Sequence, residues 1–118
     1  MQRTKRRRVV IDCDPGIDDS LALMLALSME EVEVAGITVV CGNGPVELGF
    51  SNAKKVLRQM GRLDVPVFRG AEHPLKREYV SALDTHGRDA LGESFLPEVP
   101  GGEQPEGAVD FLEKELLK

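Results

Sequence analysis

Apolar and polar positions along the chain alternate between strand-like and helix-like spacing. Residues 9–13, Val9-Val10-Ile11-Asp12-Cys13, form a largely β-branched run that reads as a first strand. The run Ser20-Leu21-Ala22-Leu23-Met24-Leu25-Ala26-Leu27 is rich in helix formers and apolar all round, which predicts a helix buried deeply against a sheet. Glu30 and Glu31 end it, and residues 32–41 read as a second strand whose continuous apolar part, 37–41, suits cover on both faces. Gly42-Asn43-Gly44-Pro45 is a turn, with Pro45 placed to open a helix over about 45–61. On that helix Phe50, Ala53, Val56, Leu57 and Met60 recur at helical spacing, Lys54, Lys55 and Arg58 are expected to face water, and Gly61 is the stop. Val65-Pro66-Val67-Phe68 is a short third strand, and residues 105–117 resume helical spacing through Ala108, Val109, Leu112 and Leu116. Residues 70–104 carry Pro74, Pro97, Pro100 and Gly101-Gly102 without a long period, the mark of a functional loop or a disordered one.

Strands and helices alternating through short turns predict an α/β fold, a parallel Rossmann-like sheet with right-handed crossovers and flanking helices. Ligands of such sheets bind beyond the carboxyl ends of the strands, the edge where Asp12, Asp14 and Asn43 fall. A fourth strand is expected after a helix ending near Lys118, so residues 1–118 read as the amino-terminal portion of a single α/β domain with an incomplete sheet.

The densest chemistry is Asp12-Cys13-Asp14-Pro15-Gly16-Ile17-Asp18-Asp19. Strand alternation sets Asp12 and Asp14 on one face, and the Pro-Gly turn brings Asp18 and Asp19 back towards the same strand end. Four acids are thus expected in one small volume. Two carboxylates about 4 Å apart repel by roughly 4 kcal/mol at an effective dielectric near 20. A helix amino terminus at Asp18-Asp19 offsets only about 0.3–1 kcal/mol per charge. The cluster must take up protons or hold a cation, and all-oxygen donors favour Ca²⁺ or Mg²⁺ over zinc. For Asp18 and Asp19 by themselves, the ordinary alternative is a helix cap and dipole partner.

Composition narrows the setting. With 118 residues, 42% hydrophobic and 30% charged, the chain has material for one core and is not of disordered composition. No apolar stretch is long enough to span a membrane, and residues 1–8 lack the apolar core of a secretory signal. Five of the fifteen basic residues lie in residues 3–8 and all twenty acids lie beyond them, so the body carries a formal charge of −10 behind a basic, flexible tail over 1–8. A short basic tail on an acidic body argues against nucleic-acid binding. Cys13 and Cys41 have no metal-type or redox-type spacing and read as reduced, partly buried thiols of a cytoplasmic protein.

The stretch from Asp12 to Asp19, followed by Ser20-Leu21-Ala22-Leu23, closely resembles the signature of the inosine-uridine preferring nucleoside N-ribohydrolases. The resemblance continues through Ile37-Thr38-Val39-Val40-Cys41-Gly42-Asn43, Val65-Pro66-Val67-Phe68-Arg69-Gly70, Pro74-Leu75 and His86-Gly87-Arg88-Asp89-Ala90-Leu91-Gly92, with Ala90 where family members commonly have Gly. It implies Ca²⁺-dependent hydrolysis of the N-glycosidic bond of ribonucleosides, in purine and pyrimidine nucleoside salvage, by a homo-oligomer (dimer or tetramer). By motif position it implies Asp14 as calcium ligand and general base, Asp19 as calcium ligand, Asp18 and Asn43 as ribose-binding groups, and Asp12 as a supporting acid. Family chains run far beyond this one and carry their leaving-group acid and remaining ligands there; His86 is the one candidate acid within these residues. A truncated fragment that binds metal weakly or self-associates is the non-enzymatic alternative. Two further α/β readings fit poorly. A receiver domain needs an acceptor Asp where the third strand ends Phe68-Arg69-Gly70, and a haloacid dehalogenase-like phosphatase needs Thr soon after its D-x-D, where this chain has Pro15-Gly16-Ile17.

Overall fold

The computed structural model describes residues 5–76, 78–80, 82–83, 87–92 and 94–118. Its elements run β1 (Arg7–Cys13), α1 (Ile17–Ser28), β2 (Val32–Val39), α2 (Val46–Gln59), β3 (Val67–Arg69) and α3 (Ala108–Leu116). The strands form one parallel sheet in the order β1-β2-β3, as the alternating rhythm predicts.

β1 begins at Arg7, inside the stretch read as a basic tail. Backbone pairing takes up Arg7 and Arg8 opposite Val32 and Glu33, and the Arg6 guanidinium donates to the carbonyls of Glu30 and Val32. The tail is therefore shorter than expected.

One face of the sheet carries the main core. Cys13, Val34, Ile37 and Val39 pack there against Leu23 and Leu27 of α1 and Phe50, Ala53, Val56 and Leu57 of α2. α3 covers the other face, where Phe111 stacks on Phe68 with ring centroids 3.9 Å apart. Room for that ring comes from Gly36, where a Cβ would lie 2.6 Å from the Phe111 ring. Strict alternation would put Val34 and Gly36 on the same face, yet they serve opposite ones. The register explains this: Val9 pairs with Val34 and Val10 with Gly36, so Ala35 is an extra residue that shifts the phase of β2.

Two expectations are corrected. α1 is buried along one stripe only: Leu23 is fully covered while Leu21 and Leu25 are each 64% exposed, because α2 and the sheet pack against a single side of the helix. Lys54 and Lys55 do not simply face water. Residues 98–101 cross over α2, the Lys54 ammonium donates to the carbonyls of Val99 and Gly101, and Lys55, only 4% exposed, pairs with Glu98 at 3.3 Å. Among the described residues of 70–104 no strand or long helix forms, in line with the irregular composition.

Candidate functional site

β1 ends at Cys13, so Asp14 is the first residue past the strand and Pro15 turns the chain. Gly16 is the N-cap of α1 and carries no side-chain cap, which places Asp18 and Asp19 in the first helical turn, neither of them as the cap residue. Asp19 reaches back instead. Its Oδ2 accepts the Asp14 backbone N–H at 3.0 Å, closing the turn on itself. The Ser20 hydroxyl donates to the Gly16 carbonyl at 2.6 Å and tightens the same turn.

The loop after β2 supplies the other wall. The Asn43 backbone N–H donates to Asp14 Oδ2 at 3.0 Å, and its side-chain Nδ2 donates to the Asp14 carbonyl at 3.0 Å. Gly42 makes that approach possible: a Cβ there would sit 2.1 Å from Asp14 Oδ2, so no side chain fits. The requirement is steric. Gly42 is not among the glycines held at positive φ.

Asp14, Asp19 and Asn43 therefore interlock at the carboxyl edge of the sheet. The other expected members lie outside this interlock. Asp12 Oδ1 accepts the buried Thr38 hydroxyl at 2.6 Å across the β1–β2 pair, which pins it to the strand. Asp18 is exposed on α1. The expected gathering of four acids is thus reduced to a pair, and among the described residues no three His, Cys, Asp or Glu side chains are grouped to hold an ion. Alternation fails as a guide here because Asp14 already belongs to the turn. His86 lies outside the described residues, and His73 is exposed.

The electrostatics follow from the geometry. The Asp19 carboxyl is pushed from 3.8 up to about 6, first by partial burial, then by its hydrogen bond to the Asp14 side chain and the charges of Asp14 and Asp18. The Asp14 N–H pulls the other way and is outweighed. Burial, aided by Asp19, Asp12 and Asp14, pushes the Cys13 thiol up to about 12, so it stands as an inert core thiol. Cys13 and Cys41 are both free, with Cys13 buried and Cys41 partly so. The Tyr79 hydroxyl is buried without a hydrogen-bond partner among the described residues, and its pKa is raised by burial and by the charges of Cys41 and Asp14.

Motif spacing does not single out Gly42, Thr38, Asn52 or Tyr79. Asn52 had a signal, a polar residue among Phe50, Ala53 and Val56 on the apolar face of α2. The need for Gly42 had none, because it depends on how closely two loops meet. Ala90 adopts φ 60°, the left-handed region, which explains why glycine is the expected residue at that position.

Fold and edge together define an α/β domain with two interlocked carboxylates at the tips of parallel strands, the edge at which ligands of such sheets bind. The chain belongs to the inosine-uridine preferring nucleoside hydrolase family, whose sequence profile matches residues 9–118. It is 41% identical to the pyrimidine-specific ribonucleoside hydrolase RihA of Photobacterium profundum, over 95% of this chain and 36% of that protein. The solved purine-preferring ribonucleoside hydrolase of Gardnerella vaginalis superposes with a TM-score of 0.89 at 31% identity, covering 95% of this chain and 37% of the other. An inosine-guanosine nucleoside hydrolase gives 0.87 at 36% identity, over 96% of this chain and 35% of the other. The chain thus spans about a third of the length of the relatives it matches.

Proposed function

We propose that this chain is the calcium- and ribose-gripping portion of a ribonucleoside hydrolase that cleaves the N-glycosidic bond to free base and ribose. The observation that carries the reading is the interlock of Asp14, Asp19 and Asn43 at the carboxyl edge. The raised Asp19 carboxyl supports it, since two acids held together gain from a positive charge between them. The donor set fits a hard cation: two carboxylates supply up to four of the six to eight oxygens that Ca²⁺ takes. Calcium, when bound, supplies a positive centre that neutralises the pair and anchors sugar hydroxyls. In this reading Asp14 and Asp19 hold the ion, and Asp14 also takes the proton of the attacking water. Asp18, exposed beside the pair, holds a ribose hydroxyl, and Asn43 orients Asp14 and the sugar. Asp12 acts from a distance, through its charge and its bond to Thr38. Negative charge at this edge favours the oxocarbenium-like transition state of glycosidic cleavage. No described residue is assigned to protonate the leaving base, and His86, the candidate offered by the sequence, lies outside the described residues.

Family membership alone does not set a base preference for this chain. The matched relatives carry names that are pyrimidine-specific, purine-preferring and inosine-guanosine while sharing this portion. A cytoplasmic homo-oligomer in nucleoside salvage is the setting the family suggests, and no helix among the described residues is long and apolar enough to cross a membrane.

A second reading is favoured by the small donor set among the described residues: the chain binds calcium weakly or self-associates, without turnover. Calorimetric calcium titration, with free-ribose assays on purine and pyrimidine ribonucleosides, separates the two. Calcium uptake that Asp14→Ala abolishes is expected, with no ribose released by the 118-residue chain alone. Calcium affinity unchanged by Asp14→Ala would remove the site from Asp14, and brisk ribose release would show that the chain needs no further groups.

A further inference from the structure

Asn52 stands at the centre of α2 with no solvent exposure, and its side chain does not serve the helix that carries it. Its Nδ2 donates to the Pro15 carbonyl at 3.2 Å and to the Asp89 carbonyl at 2.8 Å. Two carbonyl acceptors fix the amide's orientation, because a flipped amide would set oxygen against oxygen. Oδ1 is then left buried without a partner among the described residues. An orphan acceptor in a dry interior is unfavourable, and an apolar side chain at this position would avoid it. The residue is explained by what its two donors hold.

Those donors join segments far apart in sequence. Pro15 lies between Asp14 and Asp19, so whatever fixes its carbonyl fixes the turn that closes one acid on the other. Asp89 organises its own segment, its carboxylate accepting the N–H groups of Leu91 and Phe95. One helical turn before Asn52, Gly49 lets α2 approach the same turn: a Cβ there would lie 2.8 Å from Val39 Cγ1 and 3.3 Å from Pro15 Cδ. Gly16, the N-cap of α1, adds no side-chain tether.

We infer that Asn52 is a positioning residue, its amide clamping the Pro15–Gly16 turn to the segment that begins at Asp89 and so setting where Asp14 and Asp19 stand. The inference rests on the calcium reading above for its functional meaning, but not for its structural test. In Asn52→Leu, a replacement of similar size without donors, amide hydrogen exchange should quicken about tenfold or more at Ser20, Asn43 and Leu91, which bond to Gly16, Asp14 and Asp89. Ile37 and Val65, bonded to Pro66 and Arg62, should keep their rates. Calcium dissociation constants should rise about tenfold, as for other groups that orient metal ligands. Equal quickening at all five amides, or no change at the first three, overturns the inference, as does unaltered calcium affinity in a chain that binds the ion. If the parent chain takes up no calcium, the proposed function fails while the exchange pattern still decides the role of Asn52. If Asn52→Leu does not fold, the parent's own Nδ2 protons decide: slow exchange with solvent supports the clamp, and free exchange rules it out.

Discussion

At the scale of single residues, the site is a backbone device more than a side-chain one. Asp14 is held by the Asn43 N–H and by the closeness that Gly42 allows. Gly42→Ala drives a methyl into Asp14 Oδ2, and over-packing of this kind costs about 1–3 kcal/mol. Urea unfolding should register that loss; an unchanged midpoint would mean that the two loops do not meet as described. Asp19 gives a pH signature. Its folded-state pKa lies above 3.8, near 6, so the native chain binds the extra proton between those values. That contribution is fully present below about pH 4 and is lost as pH rises through about 6. Asp19→Asn keeps an acceptor for the Asp14 N–H and removes the charge. Its melting temperature should therefore gain on the parent's between pH 4 and 7, and parallel profiles would refute the shift.

At the scale of elements, β1, β2, α2 and the terminal helix were legible because periodicity reports packing directly, and the structure moves their ends by a few residues. What pattern could not reveal is what crosses an element from elsewhere. Lys54 and Lys55 look like a solvated face until residues 98–101 are seen to lie across them. The extra residue Ala35 is equally silent in sequence, since a bulge is a property of the pairing and not of one strand. The acid motif was legible as a motif, through Asp14, Asp19 and Asn43, but not as a volume. Asp12 is claimed by Thr38, a partner 26 positions away.

At the scale of the whole molecule, Ile17, Leu21 and Leu25 line α1 at four-residue spacing, with Met29 just past its end, all substantially exposed. Exposed apolar stripes of this kind mark contact surfaces. Replacing Leu21 and Leu25 together by Lys should leave folding stability within about 0.5 kcal/mol per site, because neither side chain is in the core. Light scattering should then show less association than for the parent. A collapse in melting temperature would mean that this face of α1 is covered in the folded chain. The fastening of distant segments onto β2, the loop after it and α2 has a consequence for how the chain can vary in length. Gly70 is tied to Val39, Ala82 to Asn43 and Asp89 to Asn52, while residues 72–76 between the first two ties are exposed. Insertions there would lengthen a loop already closed at both ends, at about 0.6 kcal/mol for each doubling. This chain should thus accept extra sequence at this point without disturbing its acid pair.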